Sequence, residues 1–317
     1  MKRIAFAIIT AMIILQVTAQ TPRITFKQSL LYPEGVAFNA KTNVFYVSSV
    51  TTGTISTVDQ QGNCKVFYTD PSLKSSFGMK TDEKRNCLWV CTGDPNYSKF
   101  SDSSTYKKMI RFIGIDMSSG KKIEDINLSA LFNGKHFAND FAMDSGGNMY
   151  ITDSYSPVIY KVDVNGKASV FATSDMFKGE NIGLNGIAYN PKGFLLVTNT
   201  SNGSLLKVDI NNPHNVIKVK IKDILPGADG IFWDEQGKLI LIQNAVNKAF
   251  QFQSIDNWQT AEVKASTAAT DRFQYPSSGV IANEKIYLIN SKINELNDPT
   301  QPPSKEFSLQ LVQLKTM

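Results

Sequence analysis

The sequence predicts an all-β fold, a six-bladed β-propeller, and three observations carry that reading. First, a turn feeding a short apolar strand recurs six times along the 317 residues: Glu34-Gly35-Val36, Phe77-Gly78-Met79, Asn139-Asp140-Phe141, Asn185-Gly186-Ile187, Asp229-Gly230-Ile231 and Ser278-Gly279-Val280. Second, these starts are separated by 43, 62, 46, 44 and 49 residues. A repeat of ~40–50 residues holding several strands is the mark of propeller blades. Third, the elements between the starts are rich in Val, Ile, Phe and Tyr, and no long segment has a helical period. With 42% apolar and 19% charged residues, the chain can fill a soluble core and is not disordered.

In chain order, the first element is a secretory signal peptide over residues 1–19. Met1-Lys2-Arg3 precedes an apolar stretch from Ile4 to Leu15, and Val17-Thr18-Ala19 supplies small residues for cleavage. That stretch is short for a bilayer span. No cysteine follows the cleavage site to take a lipid anchor, and no apolar tail closes the chain. The mature chain, residues 20–317, is expected to be one domain, secreted or periplasmic, monomeric and free of the membrane. Net charge is +5, falling to about +3 once Lys2 and Arg3 leave. No basic run stands out, which argues against nucleic acid as a partner. Sequons at Asn96, Asn127, Asn199 and Asn202 would matter only in a eukaryotic secretory pathway.

The strand Arg23–Lys27 comes next and is expected to supply the outer strand of the last blade, because blade six runs out of chain after Gly279 to Ala282, Lys285 to Ile289 and Phe307 to Leu314. Closure of this kind removes an exposed sheet edge. Blade one spans Gly35 to Tyr68, and blade two Gly78 to Leu128. Blade three spans Asp140 to Ala172, blade four Gly186 to Ile221, and blade five Gly230 to Ala265. The second-to-third strand loops share a face with the inner-strand starts and are long in two blades, Asp94 to Lys108 and Ser291 to Glu306. Loops of that length in a compact domain are often functional. They suggest a substrate wall containing Tyr97, Phe100 and Tyr106, joined by Phe77, His136 and Ser278.

Inner strands of a propeller converge on the axis, so the residues at their starts form a ring. Four of the six are oxygen ligands: Glu34, Asn139, Asn185 and Asp229. Two carboxylates match a divalent charge, and burying them without a cation would be costly. Hard oxygen donors favour Ca²⁺ over zinc, and Mg²⁺ is disfavoured by its stricter octahedral demand. The second strands end in another polar column, Ser48, Asp94, Asp153, Asn199, Asn244 and Asn290, of which Asp153 and Asn244 are the candidates for orienting the ring ligands. Cys87 and Cys91, four apart in one strand, lie about 13 Å apart, beyond disulfide reach. A bridge from Cys64 to either, or three free thiols, both remain open.

The run Pro33-Glu34-Gly35, Asn139-Asp140, Asn185-Gly186 and Asp229-Gly230 resembles the calcium-dependent six-bladed propellers that include regucalcin, the gluconolactonases, diisopropyl fluorophosphatase and the paraoxonases. The resemblance implies a catalytic Ca²⁺ held by Glu34, Asn139, Asn185 and Asp229, and hydrolysis of small-molecule lactones, related esters or organophosphates. In that role the ion polarises a carbonyl oxygen, and Asp229 acts as base or nucleophile. The chain departs from parts of the group: Phe77 stands where the paraoxonases place a histidine, Phe232 where diisopropyl fluorophosphatase has an acidic ligand for a second calcium, and no ring arginine is present to grip a sugar acid. The rival expectation is a non-catalytic binding propeller with a structural calcium, since propellers host many functions.

Overall fold

Six antiparallel sheets, each following the chain outward from its innermost strand, make up the computed structural model, which describes residues 21–222 and 224–317. The expected signal segment, residues 1–19, lies outside the described residues. Blade one contains Val36–Asn39, Val44–Val47, Ile55–Val58 and Cys64–Tyr68. Blade two contains Ser75–Asp82, Cys87–Gly93, Ile110–Asp116 and Lys122–Asn127. Blade three contains Ala138–Met143, Met149–Asp153, Val158–Val162 and Ala168–Thr173. Blade four contains Leu184–Asn190, Phe194–Asn199, Ser204–Asp209 and Val216–Lys218. Blade five contains Ala228–Trp233, Leu239–Gln243, Lys248–Gln253 and Glu262–Ser266.

Blade six contains Pro276–Ala282, Lys285–Asn290 and Glu306–Leu311, and its fourth strand is Arg23–Lys27. That strand runs antiparallel to Glu306–Leu311, in a register that places Phe26 opposite Phe307. The first and last parts of the chain therefore meet in one sheet. Blade five carries a fifth strand that the sequence did not suggest: Lys315–Thr316 pairs with Ala265 and Ser266 on its outer edge.

Repeated turn chemistry sets the blade geometry. Asp59, Asp144, Asp163 and Asp234 each turn a carboxylate oxygen back to accept from backbone N–H groups two and four residues on. The glycine three residues on has φ between +72° and +85°, a left-handed conformation that a Cβ would strain. Second strands are sandwiched between neighbouring strands and blades. They read as continuous apolar runs, so Met149–Asp153 and Leu239–Gln243 are buried throughout, whereas the outermost Lys122–Asn127 is mostly exposed. Aromatic rings join adjacent blades: Trp89 stacks on Phe112 at 5.1 Å, and Phe112 meets Phe141 of blade three edge-on at 4.8 Å. Cys64, Cys87 and Cys91 are free thiols. Burial pushes the Cys87 thiol up to about 12 and raises Cys91 as well, so both are inert core groups. No helix among the described residues is long and apolar enough to cross a membrane.

Candidate functional site

The ring residues sit at β-bulges. In five blades the pairing of inner and second strand slips between Ser76 and Met79, Ala138 and Phe141, Leu184 and Ile187, Ala228 and Ile231, and Pro276 and Gly279. The two residues inside each slip are released from the ladder, which re-aims the first of them. Those first residues are Phe77, Asn139, Asn185, Asp229 and Ser277. In blade one the ladder begins at Val36, and Ser48 Oγ instead accepts from the N–H groups of Glu34 (3.1 Å) and Gly35 (2.7 Å). The glycine in second place has a steric cause: a Cβ at Gly35 would collide with the Phe77 carbonyl, and one at Gly186 with the Asp229 carbonyl.

Three blades also fix a neighbour's ring residue. The Thr152 hydroxyl donates to Asn185 O (2.7 Å), Thr198 to Asp229 O (2.9 Å), and Ser277 to Glu34 O (2.7 Å). Side chains are oriented too. Asn185 Nδ2 donates to Thr200 Oγ1 at 3.1 Å, which turns its oxygen the other way, and Asn244 Nδ2 donates to Asp229 Oδ2 at 2.7 Å.

The donor set fits a hard cation. Glu34 Oε2, Asn139 Oδ1 and Asn185 Oδ1 are buried and have no hydrogen-bond partner among the described residues. Orphaned buried oxygens are rare and costly, and three of them in one ring is the pattern that an oxygen-ligated cation would satisfy. Two carboxylates and two carboxamides share the ring, and among the described residues no group of three or more His, Cys, Asp or Glu side chains gathers as a metal centre. Burial raises Asp229 to about 7 from 3.8, and burial and the nearby Asp229 charge lift Glu34 well above the usual carboxylate range.

The ring lies at the floor of a cavity of about 210 Å³. Of the residues expected around it, Phe77 and Tyr97 line it together with the four ring oxygens' owners and Asn244. Several expected residues stand elsewhere. Phe100 and Tyr106 are 48% and 38% exposed and point outward from their loop. His136 is buried, but its Nδ1 is tied to Asp153 Oδ2 at 2.8 Å, and its other side faces a separate surface pocket beside Lys108 and Phe132. Asp153 therefore orients His136 and the following loop, through Phe137, Tyr155 and Ser156 N–H groups, rather than a ring ligand. Ser278 instead lines a second cavity with Lys80, Asp140 and Trp233. The ring position of blade six is Ser277, one residue earlier. Others of the second-strand column brace neighbouring backbone and strands: Asn199 Nδ2 donates to Met176 O and Lys178 O, and Asn290 Nδ2 donates to Ser308 and Gln310 of the next strand. Sequence reasoning missed Phe137, Ile182, Tyr275 and Ile293, which complete the cavity wall.

No family model matches the chain, and no curated protein matches it. Solved structures do. The chain is similar to the major allergen Mala s 1 of Malassezia sympodialis (17% identity, 94% of this chain and 97% of that one, TM-score 0.73). It is similar to a luciferin-regenerating enzyme (14% identity, 93% and 98%, TM-score 0.63). It is also similar to a gluconolactonase of Xanthomonas campestris (14% identity, 90% and 88%, TM-score 0.60). At these identities the likeness is one of fold, the six-bladed propeller.

Proposed function

We propose that the chain is a secreted, calcium-dependent hydrolase of lactones or related esters. The observation that carries the reading is the ring in which three buried oxygens, on Glu34, Asn139 and Asn185, lack partners and both carboxyls, Glu34 and Asp229, are destabilised as anions. The fold likeness to a gluconolactonase is consistent with it. Glu34, Asn139, Asn185 and Asp229 would hold the Ca²⁺, and four protein ligands are fewer than the six to eight that calcium takes, which would leave room for substrate or water. A bound calcium would supply Lewis-acid polarisation of a substrate carbonyl and charge for the developing oxyanion.

The chain's own residues supply the rest. Asn244 donates to one oxygen of Asp229 and orients the carboxylate, the group that would take a proton from an attacking water or attack the carbonyl itself. Asn139 and Asn185 present amide oxygens without adding negative charge. Phe77 and Tyr97 shield the ring from bulk water. A non-catalytic propeller with a structural calcium is the rival. The test is hydrolysis of a small lactone and aryl-ester panel by the mature protein, with and without chelator. Chelator-sensitive turnover supports the hydrolase. Calcium binding with no turnover across the panel would favour the rival.

A further inference from the structure

We propose that the ring cavity takes a small, uncharged carbonyl compound bearing an apolar or aromatic substituent, with Tyr97 and Tyr275 as its hydrogen-bond donors. This refines the hydrolase reading above and rests on it. Three independent features of the cavity lead there.

The first is charge. Among the described residues, Glu34 and Asp229 are the acidic side chains on the wall, and no Lys, Arg or His lines it. One divalent ion would balance those two carboxylates and leave no net positive field for an anionic substrate. The second is the match of surfaces. Phe77 and Phe137 pack at 4.6 Å, and Ile182, Ile293 and the rings of Tyr97 and Tyr275 extend the apolar wall. Three of the small polar donors on the wall are already committed: Thr200 donates to Ala228 O (2.6 Å), Ser277 to Glu34 O, and Asn244 to Asp229, and the free oxygens of Asn139 and Asn185 would be taken by the cation. A polyol entering here would lose water from several hydroxyls and gain few partners, a costly exchange.

The third feature is the two phenols. Tyr32, Tyr68, Tyr150, Tyr155 and Tyr160 direct their hydroxyls to protein partners. Among the described residues those of Tyr97, Tyr106, Tyr189, Tyr275 and Tyr287 have none, and of these Tyr97 and Tyr275 line the cavity. Tyr275 is held there at a conformational cost. Its φ is +52°, a left-handed value rare for a bulky residue. Asn247 Oδ1 accepts from its N–H (2.6 Å), and its carbonyl accepts from the Ser291 hydroxyl (2.6 Å). Two side chains from separate loops thus clamp the backbone that aims this ring, and strain of this kind clusters at ligand sites. Burial pushes Tyr97 up to about 12 and raises Tyr275, so both phenols keep their protons as donors at neutral pH.

The test uses lactams, which mimic lactones but resist hydrolysis. A phenyl-substituted δ-valerolactam and a polyhydroxylated gluconolactam are titrated into the mature protein by calorimetry, with and without saturating calcium. The phenyl lactam is expected to bind at least about tenfold tighter in both conditions, because the wall does not depend on the metal. Tyr275→Phe is expected to weaken it roughly fivefold while leaving calcium affinity unchanged. Phe137→Ser should weaken it as well. Gluconolactam binding equally or more tightly, or no lactam binding at all, overturns the inference. Calcium affinity, measured on the same samples, separates this from the broader reading: intact calcium binding with the wrong lactam preference leaves the hydrolase standing, whereas absent calcium binding removes it.

Discussion

The two ring carboxyls are the residues on which most turns. A carboxyl whose value is raised in the folded state contributes its full stability below the unfolded value and loses it as pH rises through the folded one. For Asp229 that window runs from 3.8 to about 7, and Glu34 acts in the same direction. The metal-free protein is therefore expected to lose thermal stability as pH rises from about 4 to about 7. Asp229→Asn should flatten that profile, as read by the melting temperature in chelator; an unchanged profile would contradict the burial of that carboxylate. With calcium and a good substrate, the same substitution is expected to cut kcat by about 10²–10⁴-fold. The four oxygen-bearing ring residues were legible in the sequence because such residues recur at one position of a repeat. Ser277 was not, because blade six has Ser278 where blades four and five have the bulge glycine, and the pattern then matches one residue late at Ser278-Gly279. Tyr275, Ile182 and Ile293 sit outside the strands, where no periodicity marks which side chains face inward.

At the scale of elements, the bulge is what releases a strand residue from the ladder into the ring. Gly186→Ala places a methyl against the Asp229 carbonyl of the next blade. It is expected to cost about 1–3 kcal/mol and to weaken calcium binding without removing any ligand. Stability and affinity both at wild-type levels would mean the inner strands are not held that closely. The bulges themselves could not be read beforehand, since an extra residue in a strand leaves the apolar pattern nearly intact. The long loops were legible as lengths but only partly as surfaces. Tyr97 and Ile293 line the cavity from them, while Phe100 and Tyr106 face solvent, because a loop's side-chain directions follow its local turns.

For the whole molecule, the decisive feature is the sheet in which Arg23–Lys27 joins Glu306–Leu311. Phe26 is fully buried there, near Phe307 at 6.3 Å. Phe26→Ala is expected to cost about 3–5 kcal/mol, and deletion of residues 23–27 to lower the melting temperature of the entire domain in a single transition. Two separate transitions would show that the ring is not closed cooperatively. The closing strand was readable because blade six is one strand short and an unassigned strand stands at the other end of the chain. The added Lys315–Thr316 pairing was not, because two polar residues carry no strand signal. The account as a whole depends on the ring binding a cation. The most direct measurement is a calorimetric calcium titration of the mature protein beside the Glu34→Gln/Asp229→Asn double variant. The account predicts one site in the parent and none in the variant. No heat in the parent, or equal binding in both, would contradict it.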